Sequence, residues 1–290
     1  MNHNMHYGKD YKAIPVTSLS SGRTKEVLPD LFSHTTQIAN VYFVGHPESG
    51  EFVMIDAGMP NCATQIKMAA EDIYGEGAKP KAIILTHGHF DHVGSIIELV
   101  NDWNVPVIAH RREIPFLTGQ EYYESPDPGV GGMAARMSML FPKRPINLQH
   151  HVYALPADGT VPYMPGFRWV HTPGHTPGHV SFFREADRVL IAGDAFVNVK
   201  QESLRKVFLQ TEELTGPPQY FTPDWIAAGE SVRRLAALKP RVAVTGHGKE
   251  IVGEQLQHQL DYLAENFNLM AVPTDGRYVR RMKRQQAAQE

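Results

Sequence analysis

The sequence predicts an α/β fold in which two β-sheets pack together with helices on the outside. Three observations point there. Strand-like and helix-like runs alternate along the chain. They fall into two strand-rich halves, each followed by helices. No linker separates the halves, and no short-period repeat is visible. A sheet with an apolar face must bury it against another layer, so two such halves in one chain stack most simply as adjoining layers. The expected organisation is one domain over residues 13–270, with an insertion around 117–165 and polar terminal tails at 1–12 and 271–290.

The elements follow in order. Ile38 to Val44 and Phe52 to Ile55 read as strands of a hairpin broken at Gly45-His46-Pro47. Asn61 is an N-cap candidate for a helix over Cys62 to Ile73, which Gly75 and Gly77 end. Ala82 to Leu85 is a short buried strand. Val93 to Trp103 is a helix with Val93, Ile96, Ile97 and Val100 on one face, and Val107 to Ala109 is a further strand. From Leu117 to Pro165 the rhythm breaks at Pro126, Pro128 and Gly129-Val-Gly-Gly132. Met133, Met137, Met139, Leu140 and Phe141 follow at loosely helical spacing. This stripe reads either as core or interface filling or as a mobile lid over a pocket. Phe167 to Val170, Val180 to Phe183 and Val189 to Ala192 are three successive strands. Thr222-Pro223-Asp224 opens a long helix to Leu238, Val242 to Thr245 is a last buried strand, and Leu256, Leu260, Leu263 and Phe267 line a last helix. The basic stretch from Arg277 to Arg284 reads as a solvated or frayed end.

Bulk properties exclude several classes. A hydrophobic content of 42% and a charged content of 20% are ordinary for a globular chain of 290 residues. The formal charge of −3 gives no electrostatic case for nucleic acid or an acidic membrane. No run approaches the length of a membrane span, and Met1 to Lys12 has no apolar core of the signal-peptide kind. A cytoplasmic protein acting on a small molecule is expected, with the oligomeric state left open. The lone Cys62 rules out an internal disulfide framework and reads as a small packing residue.

Histidine is the outlier, with fifteen copies. Leu85-Thr-His-Gly-His-Phe-Asp-His-Val-Gly94 places His87, His89, Asp91 and His92 within six residues, directly after a buried strand. Neutral imidazoles and carboxylates are the ligands that zinc, iron or manganese prefer, and such a cluster is costly inside a fold unless a cation holds it. A turn after the strand could bring all four to one cavity. Three more segments end apolar strands in glycine-flanked polar turns: His171-Thr-Pro-Gly-His-Thr-Pro-Gly-His179, Gly193-Asp194 and Gly246-His247-Gly248. Glycine beside a ligand permits close backbone approach.

With these pieces assembled, the chain resembles the metallo-β-lactamase superfamily of hydrolases. Thr86-His87-Gly88-His89-Phe90-Asp91-His92, Pro173-Gly174-His175-Thr176-Pro177-Gly178-His179, Gly193-Asp194 and Gly246-His247-Gly248 match its motifs in order. Met54-Ile55-Asp56-Ala57-Gly58 matches the first of them. The resemblance implies a four-layer αββα sandwich, two mixed sheets flanked by helices, with a dinuclear metal site at one edge. One ion would take His87, His89 and His175, the other Asp91, His92 and His247, with Asp194 and a hydroxide shared between them. The cofactors implied are two divalent ions, zinc ahead of iron or manganese. Asp91 would also be the catalytic acid–base group. Asp56 would brace the metal loops, while His171 and His179 would stand behind the ligands. Phe90 and Phe196, beside the ligands, are candidates for an apolar substrate wall.

The bridging Asp194 is absent from true β-lactamases, so the resemblance leans towards hydroxyacylglutathione hydrolases and acyl-homoserine lactonases. The expected reaction is cleavage of a carboxylic ester, thioester or lactone by the hydroxide bridging the two ions. Departures are visible: lactonases carry a tyrosine three residues after the bridging Asp, where this chain has Val197. Tyr220 or Tyr123 is a candidate to supply a phenol instead. The segment after His247 does not match the basic C-terminal region of the glutathione thioesterases. Two rival readings differ in class: a mononuclear-iron persulfide dioxygenase on the same fold, and a non-catalytic scaffold.

Overall fold

Short runs of β-branched and aromatic residues build both sheets. The computed structural model describes residues 5–11, 14 and 16–288, and the expected domain start at residue 13 lies outside them. The chain divides into two compact units, Met1–Tyr123 with Pro142–Arg168, and Glu124–Phe141 with Trp169–Glu290.

The first unit carries a seven-stranded sheet in sequential order: β1 (Thr24–Leu28), β2 (Leu31–Thr36), β3 (Ala39–Val44), β4 (Val53–Ile55), β5 (Ile83–Ile84), β6 (Val107–Ala109) and β7 (Val152–Ala154). The first four pair antiparallel and β4 to β7 pair parallel, so the sheet is mixed. Its inner parallel strands β4, β5 and β6 read as unbroken apolar runs because they are buried on both faces; Val53, Met54, Ile55, Ile83 and Ile84 are all at 0% exposure, whereas Tyr153 of the edge strand β7 is exposed. Helix α1 (Ala63–Tyr74) packs on α2 (Ile96–Trp103) and on β2. The Tyr74 ring at the end of α1 stacks on Phe52 at 3.9 Å. Sequence periodicity had not shown β1 and β2, whose residues mix polar and apolar side chains. The N-cap of α1 is Cys62, not Asn61, which takes a left-handed conformation (φ 64°) that turns the chain into the helix. The single cysteine is buried there.

The second unit carries a five-stranded mixed sheet of order β12-β11-β10-β9-β8, formed by β8 (Phe167–His171), β9 (Val180–Arg184), β10 (Val189–Ile191), β11 (Val242–Val244) and β12 (Ile251–Val252). β10 and β11 run parallel with Ile191 opposite Val244. The short helix α3 (Ile114–Leu117) belongs to the first unit; in the second, the short helices α4 (Met133–Met137) and α5 (Leu204–Leu209) precede α6 (Trp225–Ala237) and α7 (Glu254–Glu265). They bury Trp225, Val232, Leu256, Leu260 and Leu263 in one core with Phe183 and Leu190. Asp224 caps α6 through Ala227 N at 3.0 Å. Two mixed sheets flanked by helices is the class the sequence predicted.

The ends differ from expectation. The chain after Pro273 is not a frayed tail: past the short α8 (Phe267–Met270), α9 (Arg277–Ala287) buries Tyr278, Val279 and Met282 in the core of the second unit. Apolar residues at i, i+1 and i+4 give one face of this helix to the core, a pattern its basic composition conceals. At the other end, the described part of 1–12 is also anchored. Tyr7 Oη donates to Glu98, and Asp10 accepts from the Lys143 and Arg144 amides at 2.8 and 3.1 Å. The expected insertion 117–165 is divided between the two units. Within it Met133, Met139 and Leu140 are exposed, so these members of the apolar stripe do not fill a core. Among the described residues no helix is long and apolar enough to cross a membrane.

Candidate metal centre

The strands deliver the candidate ligands by register. Ile55 of β4 sits opposite Ile84 of β5, so Asp56 and Thr86-His87 leave the same edge of the sheet. In the second unit Asp194 and His247 each lie three residues beyond the paired Ile191 and Val244, and Gly246 N–H donates to Gly193 O at 2.9 Å.

Asp56 organises the first cluster. It follows β4 in a left-handed conformation (φ 61°), which Asp tolerates better than most residues. Its Oδ1 accepts the Thr86 amide at 2.8 Å. Its Oδ2 accepts the Thr86 hydroxyl at 2.7 Å and His92 Nδ1–H at 2.8 Å. Because the Thr86 proton goes to Asp56, the Thr86 oxygen accepts from His87 Nδ1 at 3.1 Å. Both imidazoles are thereby held as Nδ1–H tautomers that present Nε2 as the ligand nitrogen. His87, His89, Asp91 and His92 are all buried.

The second cluster uses the same logic. Thr222 Oγ1 donates to Pro218 O at 2.8 Å and so accepts from His175 Nδ1 at 3.4 Å, turning His175 Nε2 towards Asp194. Gly174 makes this turn possible. At φ 133° its position leaves no room for a side chain, since a Cβ would lie 2.5 Å from the backbone of Ala228 in α6. Asp194 Oδ2 stands 3.4 Å from His175 Nε2 and 3.4 Å from His247 Nε2. Two ligand atoms on one tetrahedral ion, each about 2.1 Å from it, are separated by roughly 3.4 Å.

His179 is accounted for differently. Its Nε2 accepts the Asp194 amide at 2.9 Å, and its Nδ1–H donates to Thr172 Oγ1 at 2.8 Å. The relay continues through Ser181 Oγ (3.1 Å) to Ala192 O (2.8 Å). With both ring nitrogens engaged, His179 positions the Asp194 backbone. His171 donates Nε2–H to Pro177 O at 3.0 Å and also stands outside the ligand set. His110 Nδ1 accepts the Arg112 amide at 3.4 Å, and His150 stacks on His151 at 4.6 Å; neither joins the cluster.

The candidate ligands are His87, His89, Asp91 and His92 in the first unit and His175, Asp194 and His247 in the second. The donor set is nitrogen and carboxylate oxygen throughout, every member is buried, and the tautomers point Nε2 at the cluster, so these residues fit divalent ions. Of the two phenylalanines expected at a substrate wall, Phe90 is 4% exposed beside His89 and Asp91, and Phe196 is wholly buried in the core of the second unit. The sequence reading gave no role to Thr172, Thr222 and Glu113. The usable signal lay in the threonines that precede or face each histidine turn.

Comparison with known proteins agrees with this geometry. A family model described as metallo-β-lactamase superfamily matches residues 34–247. A probable metallo-hydrolase of Bacillus subtilis, YflN, is 48% identical over 257 residues, covering 88% of this chain and 97% of the relative. The hydroxyacylglutathione hydrolase GloC of Haemophilus influenzae is 31% identical over 115 residues, 39% of this chain and 49% of that protein. Among solved structures, the BLEG-1 B3 metallo-β-lactamase superposes with a TM-score of 0.55 at 22% identity, covering 83% of this chain and 98% of its own; this likeness speaks for the fold.

Proposed function

The chain belongs to the metallo-β-lactamase superfamily, and from that premise we propose that it hydrolyses a carboxylic ester, thioester or lactone at a centre of two divalent metal ions. The observation that carries this reading is the place of Asp194, whose Oδ2 is equally distant from His175 Nε2 and His247 Nε2. In this proposal His175 joins His87 and His89 on one ion, and His247 joins Asp91 and His92 on the other. A carboxylate common to both triads is what a two-ion site needs to offset cation–cation repulsion. Zinc is the ion we assign first, with iron or manganese suited to the same donors.

Ions bound there would supply a water acidic enough to ionise near neutral pH and neutralise charge developing on the substrate carbonyl oxygen. The chain's own groups do the rest. Asp91 orients the attacking water, takes up a proton and delivers it to the leaving oxygen or sulfur. Asp56 and Thr86 hold His92 and His87 in register, and His179 holds the backbone of Asp194. The thioester branch draws support from the likeness to a hydroxyacylglutathione hydrolase. A small-molecule substrate, for which the charge of −3 speaks by offering nucleic acid no electrostatic attraction, and a cytoplasmic location belong to the same proposal.

The test is elemental analysis of the purified protein paired with a panel of thioesters, lactones, phosphodiesters and β-lactams. Two ions per chain and turnover of a thioester or lactone, abolished by a chelator and restored by zinc, is the expected result. Turnover of phosphodiesters alone would overturn the substrate class. One iron per chain with oxygen uptake on a persulfide would overturn the hydrolase reading.

A further inference from the structure

Glu113 sits four residues beyond β6, immediately before α3, and is wholly buried. Its Oε2 accepts the Gly88 amide at 3.0 Å and also the hydroxyl of Tyr123. Gly88 is the residue between the ligands His87 and His89. The Tyr123 ring lies flat on Phe116, with centroids 4.1 Å apart and planes at 9°, and meets the His89 imidazole at 4.7 Å and 66°. A Cβ at position 88 would lie 2.4 Å from Tyr123 Oη and 2.9 Å from Leu117 Cδ2, so any larger residue there would displace one of these side chains. One carboxylate oxygen therefore grips the peptide that separates two ligands, and through a phenol it fixes the ring packed against the second of them.

We propose that Glu113 is a positioning residue for the ion held by His87 and His89, acting through the Gly88 amide and the Tyr123 ring. This rests on the metal-centre reading and adds residues that lie outside the superfamily motifs quoted above. Burying a carboxylate is costly unless its hydrogen bonds are made, and a loop amide alone is satisfied as well by a neutral acceptor. A negative group placed just behind the ligand loop favours a cation in front of it. The Tyr123 ring also removes the freedom of His89 to rotate away, so less order has to be imposed when the ion binds.

Cobalt(II) titration of metal-free protein, followed by visible absorption, tests the assignment without reference to turnover. Wild type, Glu113→Gln, Glu113→Ala and Tyr123→Phe are compared, with urea midpoints to monitor folding. The expected result is two cobalt equivalents in wild type, an affinity lowered about 10- to 100-fold at one of the two sites in Glu113→Ala and Tyr123→Phe, a shifted cobalt band, and a smaller effect in Glu113→Gln. Folded variants with the wild-type spectrum and both affinities intact overturn the proposal. So does an equal loss at both sites that tracks a lowered urea midpoint, since that marks a purely structural role. Should Glu113→Ala fail to fold, Tyr123→Phe removes only the hydroxyl and keeps the test open. Wild type that takes up no cobalt sinks the metal-centre reading instead, so the two failures are distinguishable.

Discussion

Hydroxyls and carboxylates behind the ligands decide which imidazole nitrogen faces the cluster, and that is where single residues matter most. Asp56→Asn keeps an oxygen for the Thr86 amide but offers an NH2 group to two donors, the Thr86 hydroxyl and His92 Nδ1–H. Loss of these bonds to a buried carboxylate should destabilise the protein by about 1–3 kcal/mol and weaken the ion at His92 about 10- to 100-fold. Urea unfolding and chelator competition measure the two effects separately. His179→Ala should retain more metal and activity than His175→Ala, because the His179 Nε2 is spent on the backbone amide of Asp194; the opposite order would place the ligand register of this turn wrongly. His34 supplies a pH signature. Burial holds its imidazole below the ordinary value near 6.5, so the unfolded chain binds the proton more readily. Its contribution to stability is present above the unfolded pKa and is lost as pH falls below about 6.5. The urea midpoint of wild type should therefore drop more between pH 7 and pH 5 than that of His34→Gln; the metal ligands act alike in both chains and cancel in the difference.

At the level of elements, α9 is the clearest departure from the sequence reading. Asp127, itself buried, receives the Arg277 amide at 2.5 Å and the Tyr278 amide at 3.4 Å, and so caps this helix from 150 residues away. Arg281 adds a two-pronged contact to Glu124. Removing residues 274–290 should cost several kcal/mol, since three buried side chains at about 1.5–3 kcal/mol each are lost. A solvated tail would cost nothing, and a thermal melt of the truncated chain separates the two. Strands β3 to β6 and β8 to β11 were legible from their apolar runs to within a residue or two, and Val107–Ala109 matched in full. Strands β1, β2, β7 and β12 were not legible: Thr24, Lys25, Glu26, Ser33 and His34 interrupt the first two, which are strands because β3 pairs with β2 and β2 in turn pairs with β1.

For the whole molecule, seven buried candidate ligands from His87 to His247 would couple metal binding to folding under the proposed function. An ion present at about 1,000 times its Kd adds roughly 4 kcal/mol to stability. Chelation should then lower the melting temperature on the order of 10 °C, and added zinc should restore it. A melting temperature indifferent to chelator would break the link between the cluster and the fold.

Taken alone, the sequence determined the fold class, the order of most strands and all seven ligand candidates. Those features are local: apolar runs, glycine turns, and imidazoles next to strand ends. The tertiary structure decided that His179 and His171 spend their ring nitrogens on the protein, that Phe196 is core, that the basic C-terminal stretch is a docked helix, and that Glu113 accepts the Gly88 amide beside His89. Each of these depends on which atoms meet across tens of residues, and a hydrogen bond between distant positions leaves no periodic trace along the chain.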